Sequence, residues 1–541
     1  MKTLTMLAIA LAPALALHAG CAADRSGAGD GGSCTGDKCD DLDRPDSEVD
    51  DTPCDGVMID ESGRDHEKVA GRLNDAVARL AFRTGDDCPT TFQDIMAKLR
   101  QTDTSGCSPD DPRAGIATRV ISETAQAMGA PSNYRAVVTR TCDNRPTHGI
   151  VFSLFGVQAG ASELPPNVEI MAFDETAGVF NYYEAEPSGE IKFFGNSKDM
   201  LKGPDGQVRR CAGCHTGGGM IMKELDTPWL HWEGHMDTPG ARELVEAHDD
   251  LGRKTDGLEF EGLVKGANRT WNQTRLDFLR ESGGPADLLR PLFCDIEINL
   301  DNGADFESPV GGGPGGSEMS RIPFDSLLDP KLKSFGSISV AFADYDAIIK
   351  ANNQRVGGVP GAIDTVFDYV FVERSHADMD LIDKLKAAEI VDDELIKDIL
   401  LVDFTRPVFS DDRCALLQFV PQIPNAELNP TAIREGLIAN LGSPEAGTPA
   451  ADLLANLQAT GGHDAAVNAF TAACEALGSA QVMANAMAVT SLNRDIARSM
   501  QVFEFEATMP DDDLDVAPGT RLHPTTCELI TEFVPVTATT E

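Results

Sequence analysis

Basic residues are scarce in this chain of 541 residues, which has 45 lysines and arginines against 87 aspartates and glutamates and a formal net charge of −42 at pH 7. Nucleic acid is therefore not expected as a partner, because binding to polyphosphate needs a surface of the opposite sign. A strongly acidic surface instead favours electrostatic steering of partner proteins with a basic docking face.

Long apolar runs are also missing beyond the start of the chain, so no membrane-spanning helix is expected there. Residues 1–20 have a basic start, an apolar stretch and a small-residue end, which is typical of an export signal peptide. The segment LHAGC at residues 17–21 resembles the lipobox of bacterial lipoproteins. This resemblance implies acylation of Cys21, contact with a membrane only through that lipid, and a location in the periplasm or at the outer membrane or cell surface. His18 replaces the usual aliphatic residue, which leaves ordinary signal cleavage near Ala19 or Ala23 open.

Apolar side chains are almost absent from residues 24–55, where eleven acidic residues stand against three basic ones. Such a segment cannot bury enough surface to offset its ordering entropy. We therefore predict that residues 21–57 form an acidic, disordered tether.

The 13 cysteines predict disulfide bonds. Cys21 and the Cys-x-x-Cys pair discussed below leave an even remainder, which in an exported protein favours a disulfide-stapled fold. These ten residues are Cys34, Cys39, Cys54, Cys88, Cys107, Cys142, Cys294, Cys414, Cys474 and Cys527.

Hydrophobic periodicity divides the remaining chain into three regions. In residues 58–200, helical spacing at 66–83, 92–99 and 116–128 precedes β-rich runs that predict an antiparallel meander, at 134–142, 149–157, 168–174, 178–186 and 190–197. Residues 201–343 contain the motif described next. Residues 344–541 are expected to be mainly helical, with helices at 380–388, 392–402, 431–441, 465–477 and 480–504.

The pentad CAGCH at residues 211–215 is the one Cys-x-x-Cys-His in the sequence, and three glycines follow it closely. Thiols at i and i+3 lie one helical turn apart and can add to the two vinyl groups of a porphyrin, while the next histidine reaches the iron. In these residues the chain resembles c-type cytochromes. The resemblance implies one covalent haem c, with thioether bonds to Cys211 and Cys214 and with His215 as the proximal axial ligand and metal ligand.

Two other interpretations of the pentad stay open. A zinc site would need two more ligands, for which His231 and His235 are available. A redox dithiol would be expected to open a helix after a strand of a βαβ unit, whereas this pentad follows a predicted meander.

The second axial ligand of the iron separates an electron carrier from a catalyst. Met220 and Met222 follow His215 too closely to pass around a porphyrin edge and are expected to line its pocket. Met319, in the Gly/Pro-rich loop of residues 310–323, resembles the loop-borne methionine of single-haem cytochromes and is the favoured ligand. The histidines at 231 and 235 are the alternatives.

The fold class expected is α+β, with an antiparallel β-meander domain, a haem c segment and a mainly α-helical C-terminal region. The function expected is one-electron transfer at a bacterial cell envelope. A haem peroxidase or oxidase with an open iron position is an alternative, although bacterial peroxidases of the cytochrome c type usually carry two such motifs. A disulfide-stapled surface lipoprotein with a zinc site is a further alternative. No Gly-x-Ser-x-Gly or His-Glu-x-x-His motif points to another catalytic centre.

Overall fold

The structure of the chain is a computed structural model. It describes residues 73–75, 77–78, 94, 115–122, 134–141, 150–157, 168–174, 176–185, 191–201, 215, 217–220, 253–254, 257–294, 298–301, 319–323, 327–333, 337–341, 371–459, 461–499 and 516–537. The described residues all belong to one compact unit, Pro45–Glu541. The export signal, the whole tether and the lipid-attachment residue Cys21 lie outside them and stay predictions.

A seven-stranded sheet is the main β element of the described chain. From one edge to the other its order is β6-β5-β4-β3-β2-β1-β7. Neighbours from β1 to β6 are antiparallel, and β7 adds a short parallel pairing at the β1 edge. The strands are β1 (Gly115–Ser122), β2 (Tyr134–Thr141), β3 (Ile150–Val157), β4 (Val168–Asp174), β5 (Val179–Ala185), β6 (Ile191–Asn196) and β7 (Arg253–Lys254).

The hairpin of β4 and β5 shows how sequence and structure agree in this sheet. Nearly every residue of β4 is buried, which explains why VEIMAFD is an almost continuous apolar run rather than an alternating one. The turn between the strands ends at Gly178, whose φ is 66° and whose N–H donates to Asp174 O at 2.7 Å. A Cβ there would lie 2.6 Å from Thr274 Oγ1, so glycine is required for conformation and for space.

The first strand corrects one expectation. The helical spacing in residues 116–128 predicts a helix, but β1 occupies Gly115–Ser122 and pairs along its whole length with β2. The prediction was wrong because Ile116, Thr118, Val120 and Ile121 are β-branched, and such residues pack well on a pleated surface. Pairing with a neighbouring strand overrode the local period.

Ten α-helices are described, and most follow the sheet in the sequence. They are α1 (Ser197–Met200), α2 (Gly257–Ser282), α3 (Pro285–Phe293), α4 (His376–Ala387), α5 (Asp393–Leu400), α6 (Asp411–Cys414), α7 (Pro430–Leu441), α8 (Pro449–Gln458), α9 (His463–Ala476) and α10 (Ser479–Ser499). Short 3₁₀ helices span Ala415–Phe419 and Asn425–Glu427. All five helices predicted after residue 344 are present.

Three small two-stranded sheets complete the described secondary structure. They are β8 (Ile298–Asp301) with β11 (Phe371–Arg374), β9 (Met319–Pro323) with β10 (Ser337–Ala341), and β12 (Arg521–Leu522) with β13 (Leu529–Ile530). Met319 therefore opens strand β9, opposite Ala341, and is not in a flexible loop as the Gly/Pro-rich composition suggested. The segment of residues 319–323 forms a strand because it is hydrogen-bonded to β10, which its own composition does not indicate.

One hydrophobic core joins the helices. Its fully buried members include Leu288 of α3, Leu381 of α4, Ile399 of α5 and Leu437 of α7. Helix α2 packs along α4 and also contacts β5 of the large sheet, so it links the helical core to the strand that carries part of the site described below.

Two disulfides close loops around this core. Cys294–Cys414 and Cys474–Cys527 join residues separated by 120 and 53 positions in the sequence. The prediction of disulfide bonds is confirmed for these four cysteines, and the other six of the ten lie outside the described residues. The prediction of a chain that mixes α and β structure is likewise confirmed. Among the described helices, none is long and apolar enough to cross a membrane.

Candidate functional site

Only part of the predicted site falls within the described residues. His215 is described together with the glycines and the methionine after it, at 217–220. Cys211 and Cys214 lie outside the described residues, as do His231, His235 and Met222. Met319 is placed on the backbone of β9.

The loop after the pentad turns back on its own histidine. Gly218 N–H donates to His215 O at 2.8 Å, and the His215 Nδ1 atom lies 3.1 Å from Gly219 O. Gly218 has a φ of 72°, in the left-handed region that favours glycine. The glycine at this position therefore makes a turn that brings a backbone carbonyl onto the imidazole ring.

The loop lies directly against α1 and α2. A Cβ on Gly218 would lie 2.4 Å from Ser197 O, the first residue of α1. A Cβ on Gly219 would lie 2.6 Å from Asn268 Oδ1 on α2. Trp271, one turn further along α2, is fully buried and donates from Nε1 to Gly217 O at 2.8 Å. Close backbone approach thus requires the glycines, and the indole hydrogen bond fixes the loop.

Helix α1 is short but well anchored. Asn196, the last residue of β6, accepts hydrogen bonds at its side chain from the backbone N–H groups of Lys198 and Asp199. The Asp199 carboxylate accepts in return from Asn196 N–H at 3.0 Å, which completes a capping box. The capping box therefore fixes the position of Ser197 O, which packs against the backbone of Gly218.

Tyr182 of β5 forms the sheet side of the site. It is buried, its ring centroid lies 5.2 Å from that of His215 with an interplanar angle of 46°, and its hydroxyl donates to Gly219 O at 3.2 Å. The pairing of β5 with β6 shifts register between Tyr182 and Tyr183, which marks a β-bulge. Bulges change the direction of nearby side chains and are common beside functional sites.

The hydrogen bond at Nδ1 gives His215 a defined chemistry. A carbonyl oxygen only accepts, so Nδ1 carries the ring proton and Nε2 carries the lone pair. Histidines that bind metals are typically held in this way, with the second ring nitrogen donating to a carbonyl or carboxylate. The arrangement therefore suits Nε2 for coordination of an iron or another metal.

Asn268 adds a further polar group at the edge of the loop. The residue is buried, and its Oδ1 atom has no hydrogen-bond partner among the described residues. A buried acceptor without a donor costs free energy, and such atoms often face a ligand or an ordered water. The site thus offers one acceptor beyond those that its own contacts use.

A second polar cluster lies on the other side of β5. Tyr183 and Asn181 both donate to the buried carboxylate of Asp75, Asn181 Nδ2 at 2.8 Å, and Asp75 also accepts from Ala78 N–H at 3.0 Å. Burial raises the pKa of Asp75. Burial, reinforced by the charge of Asp75, raises the pKa of Tyr183 well above its usual value. We interpret this cluster as a structural link between residue 75 and the sheet.

The sequence predicted His215 and drew attention to the glycines after it, but it indicated none of the distant residues that hold their loop. Tyr182, Asn268 and Trp271 come from two elements that are distant in sequence, and only the tertiary fold brings them to the loop. The described residues contain no group of three or more histidine, cysteine, aspartate or glutamate side chains that could hold a metal ion.

Asn268 and Asn272 also begin Asn-x-Thr sequences. Both are buried, and Asn272 Nδ2 donates to Ala377 O at 2.7 Å. Neither side chain is therefore exposed as a glycosylation acceptor.

Comparison with known proteins finds no matching family model, no matching curated sequence and no matching solved structure.

Proposed function

We propose that the chain is an exported protein that carries one covalently bound haem c and transfers single electrons at a bacterial cell envelope. The observation that carries this proposal is the bond between His215 Nδ1 and Gly219 O, at 3.1 Å. It assigns the lone pair to Nε2 in the one histidine that directly follows a Cys-x-x-Cys pair. An axial ligand needs this tautomer.

Three residues would hold the haem. Cys211 and Cys214 would form the thioether bonds, and His215 would bind the iron on its proximal side. When bound, the haem supplies a metal centre that changes its charge by one electron. The protein residues hold His215 in one orientation, because Gly219 O binds its Nδ1 and Tyr182 packs against its ring. Trp271 holds the loop through Gly217 O.

Met319 is the proposed second axial ligand. Its position at the start of β9 fixes its backbone by pairing with β10, which would give a ligand less freedom than a loop does. A methionine at this position would raise the reduction potential and suit electron transfer.

The disulfides support the proposed location. Bonds such as Cys294–Cys414 and Cys474–Cys527 persist in oxidising compartments, where bacterial haem attachment also takes place. We propose that the protein acts in the periplasm or at the outer membrane or cell surface and is held there by a lipid on Cys21. The net charge of −42 favours a redox partner with a basic docking face.

The test is a set of visible spectra of the protein expressed with its signal in a host that attaches haem c. The carrier is supported by a c-type band that survives denaturation and does not change when carbon monoxide is added. A band that shifts with carbon monoxide would favour the enzyme alternative. The absence of any covalent band would overturn the proposal.

The ligand Met319 is tested by Met319→Leu, with Met379→Leu on α4 as the matched control. Only the first change should alter the spectrum of the oxidised protein. An unchanged spectrum would return the choice of ligand to His231 or His235.

A further inference from the structure

We propose that Tyr182 sets the electron-donating strength of His215, because the tyrosine hydroxyl and the histidine Nδ1–H share one acceptor, the carbonyl oxygen of Gly219. This inference rests on the proposed function, since the consequence of interest is the reduction potential of a haem bound by His215. Tyr182 acts here as a positioning residue, and it would not touch the iron.

The shared acceptor is defined by two distances. His215 Nδ1 lies 3.1 Å from Gly219 O, and Tyr182 Oη donates to the same atom at 3.2 Å. A carbonyl oxygen has two lone pairs and can accept both bonds. The surrounding contacts hold this oxygen in place, because Trp271 binds the neighbouring carbonyl of Gly217 and Gly219 rests against Asn268.

Two donors on one oxygen weaken each other, because each withdraws electron density from the atom that the other needs. A weaker bond from Nδ1–H leaves the imidazole less anionic and Nε2 a poorer donor, since hydrogen bonding at the outer nitrogen raises the basicity of a ligating histidine. Ligand donation stabilises the oxidised iron more than the reduced iron, and a poorer donor makes this difference smaller. Tyr182 should therefore raise the potential.

The substitution Tyr182→Phe isolates this effect. It removes the hydroxyl and keeps the ring that packs 5.2 Å from the His215 ring. Gly219 O keeps its bond from His215 in this variant. Tyr183→Phe is the matched control, since Tyr183 is the next residue on the same strand and its hydroxyl donates to Asp75 instead.

The first experiment measures the midpoint potential of the full-length haem protein. Tyr182→Phe should raise the ratio of oxidised to reduced protein about threefold at a fixed ambient potential, a decrease of about 30 mV at 59 mV per tenfold change. Tyr183→Phe should leave the potential unchanged. A potential that stays constant or rises in Tyr182→Phe, or that falls equally in both variants, would overturn the inference.

A second experiment separates this inference from the haem proposal. Covalent haem is assayed first, and its absence would count against the proposed function alone. The hydrogen-bond claim is then tested by nitrogen-15 NMR of the histidine rings in the full-length chain made without haem. We expect His215 as the Nδ1–H tautomer, with its Nδ1–H proton further downfield in Tyr182→Phe. An Nε2–H tautomer, or an unchanged resonance, would refute the shared acceptor.

Discussion

In the helical region after residue 371, several buried carboxylates pair with cations, whereas around His215 the groups that meet are backbone carbonyls and ring or phenol donors. Asp398 of α5 is fully buried, lies 2.6 Å from His463 Nε2 and pairs with Arg434. Asp403 pairs with Arg521 at 3.0 Å. These groups find their partners within the chain, so a structural role accounts for them.

The loop of His215 is built differently. Its carbonyls orient one imidazole, and Asn268 Oδ1 beside it has no partner among the described residues. Buried acceptors without a hydrogen-bond partner in the described chain also occur at Asn272 and Asp452, so the oriented histidine is what sets this loop apart. We therefore assign the ion pairs to the fold and propose that a ligand would bind at the loop of His215.

The largest expected effect comes from removing a disulfide of the helical region. Cys474 and Cys527 are 53 residues apart, and a loop of that length predicts a loss of about 4 kcal/mol in the free energy of unfolding for Cys474→Ala with Cys527→Ala. Denaturant unfolding measures the loss. The c-type visible band of the native variant should be unchanged, and a lost band would show that the two regions are not independent.

The next effect is a dependence of stability on pH. Burial, with a further contribution from the charge of Asp403, raises the pKa of Asp452 on α8 to about 8. Between about pH 4 and pH 8 the folded chain therefore holds a proton that the unfolded chain has released, so the free energy of unfolding falls as the pH rises.

Asp452→Asn should remove this loss. We expect the free energy of unfolding of the variant, minus that of the original protein, to be about 3 kcal/mol larger at pH 8 than at pH 5, at 1.36 kcal/mol per pKa unit. Glu435→Gln, at an exposed position of α7, is the control and should show no such trend. Parallel pH profiles for Asp452→Asn and the original protein would contradict the prediction.

The same substitution, glycine to alanine, at one position in each region compares the two regions directly. Gly218 and Gly478 have φ values of 72° and 83°, but a Cβ at Gly218 would collide with Ser197 O, whereas nothing lies within 4 Å of one at Gly478. Gly478→Ala should cost about 1 kcal/mol through backbone strain alone. Gly218→Ala should cost about 2 kcal/mol more, because the backbone of α1 cannot move aside easily.

Urea unfolding of both glycine variants measures this difference. Gly218→Ala should also change the visible spectrum of the haem protein, because it displaces the carbonyl that orients His215. Equal costs and unchanged spectra in both variants would show that the loop of His215 is less constrained than its contacts indicate.

Periodicity predicted the helices well where an apolar stripe repeats over several turns, as in α4, α7 and α10. It missed α3 and α8, which are short and begin at Pro285 and Pro449. Proline is favoured in the first turn of a helix, so a proline after Gly284 or Thr448 was the available signal. For β1 the β-branched residues decided the structure, and pairing with β2 could not be seen locally.

Only the Cys-x-x-Cys-His pentad of the candidate site could be predicted from the sequence. It identified His215 because haem attachment needs two cysteines and a histidine at this spacing. Tyr182, Asn268 and Trp271 carry no such spacing, and each could equally have been an ordinary core residue. Their role depends on how β5 and α2 approach the glycine loop, which is a property of the tertiary structure.

The intact mass of the exported protein tests the central claim most directly. In a host that attaches haem c, the purified original protein should be heavier than the variant Cys211→Ala with Cys214→Ala by one haem plus the two sulfur atoms removed, because both chains carry the same lipid on Cys21. An original protein that exceeds the variant only by the two sulfur atoms would contradict the account.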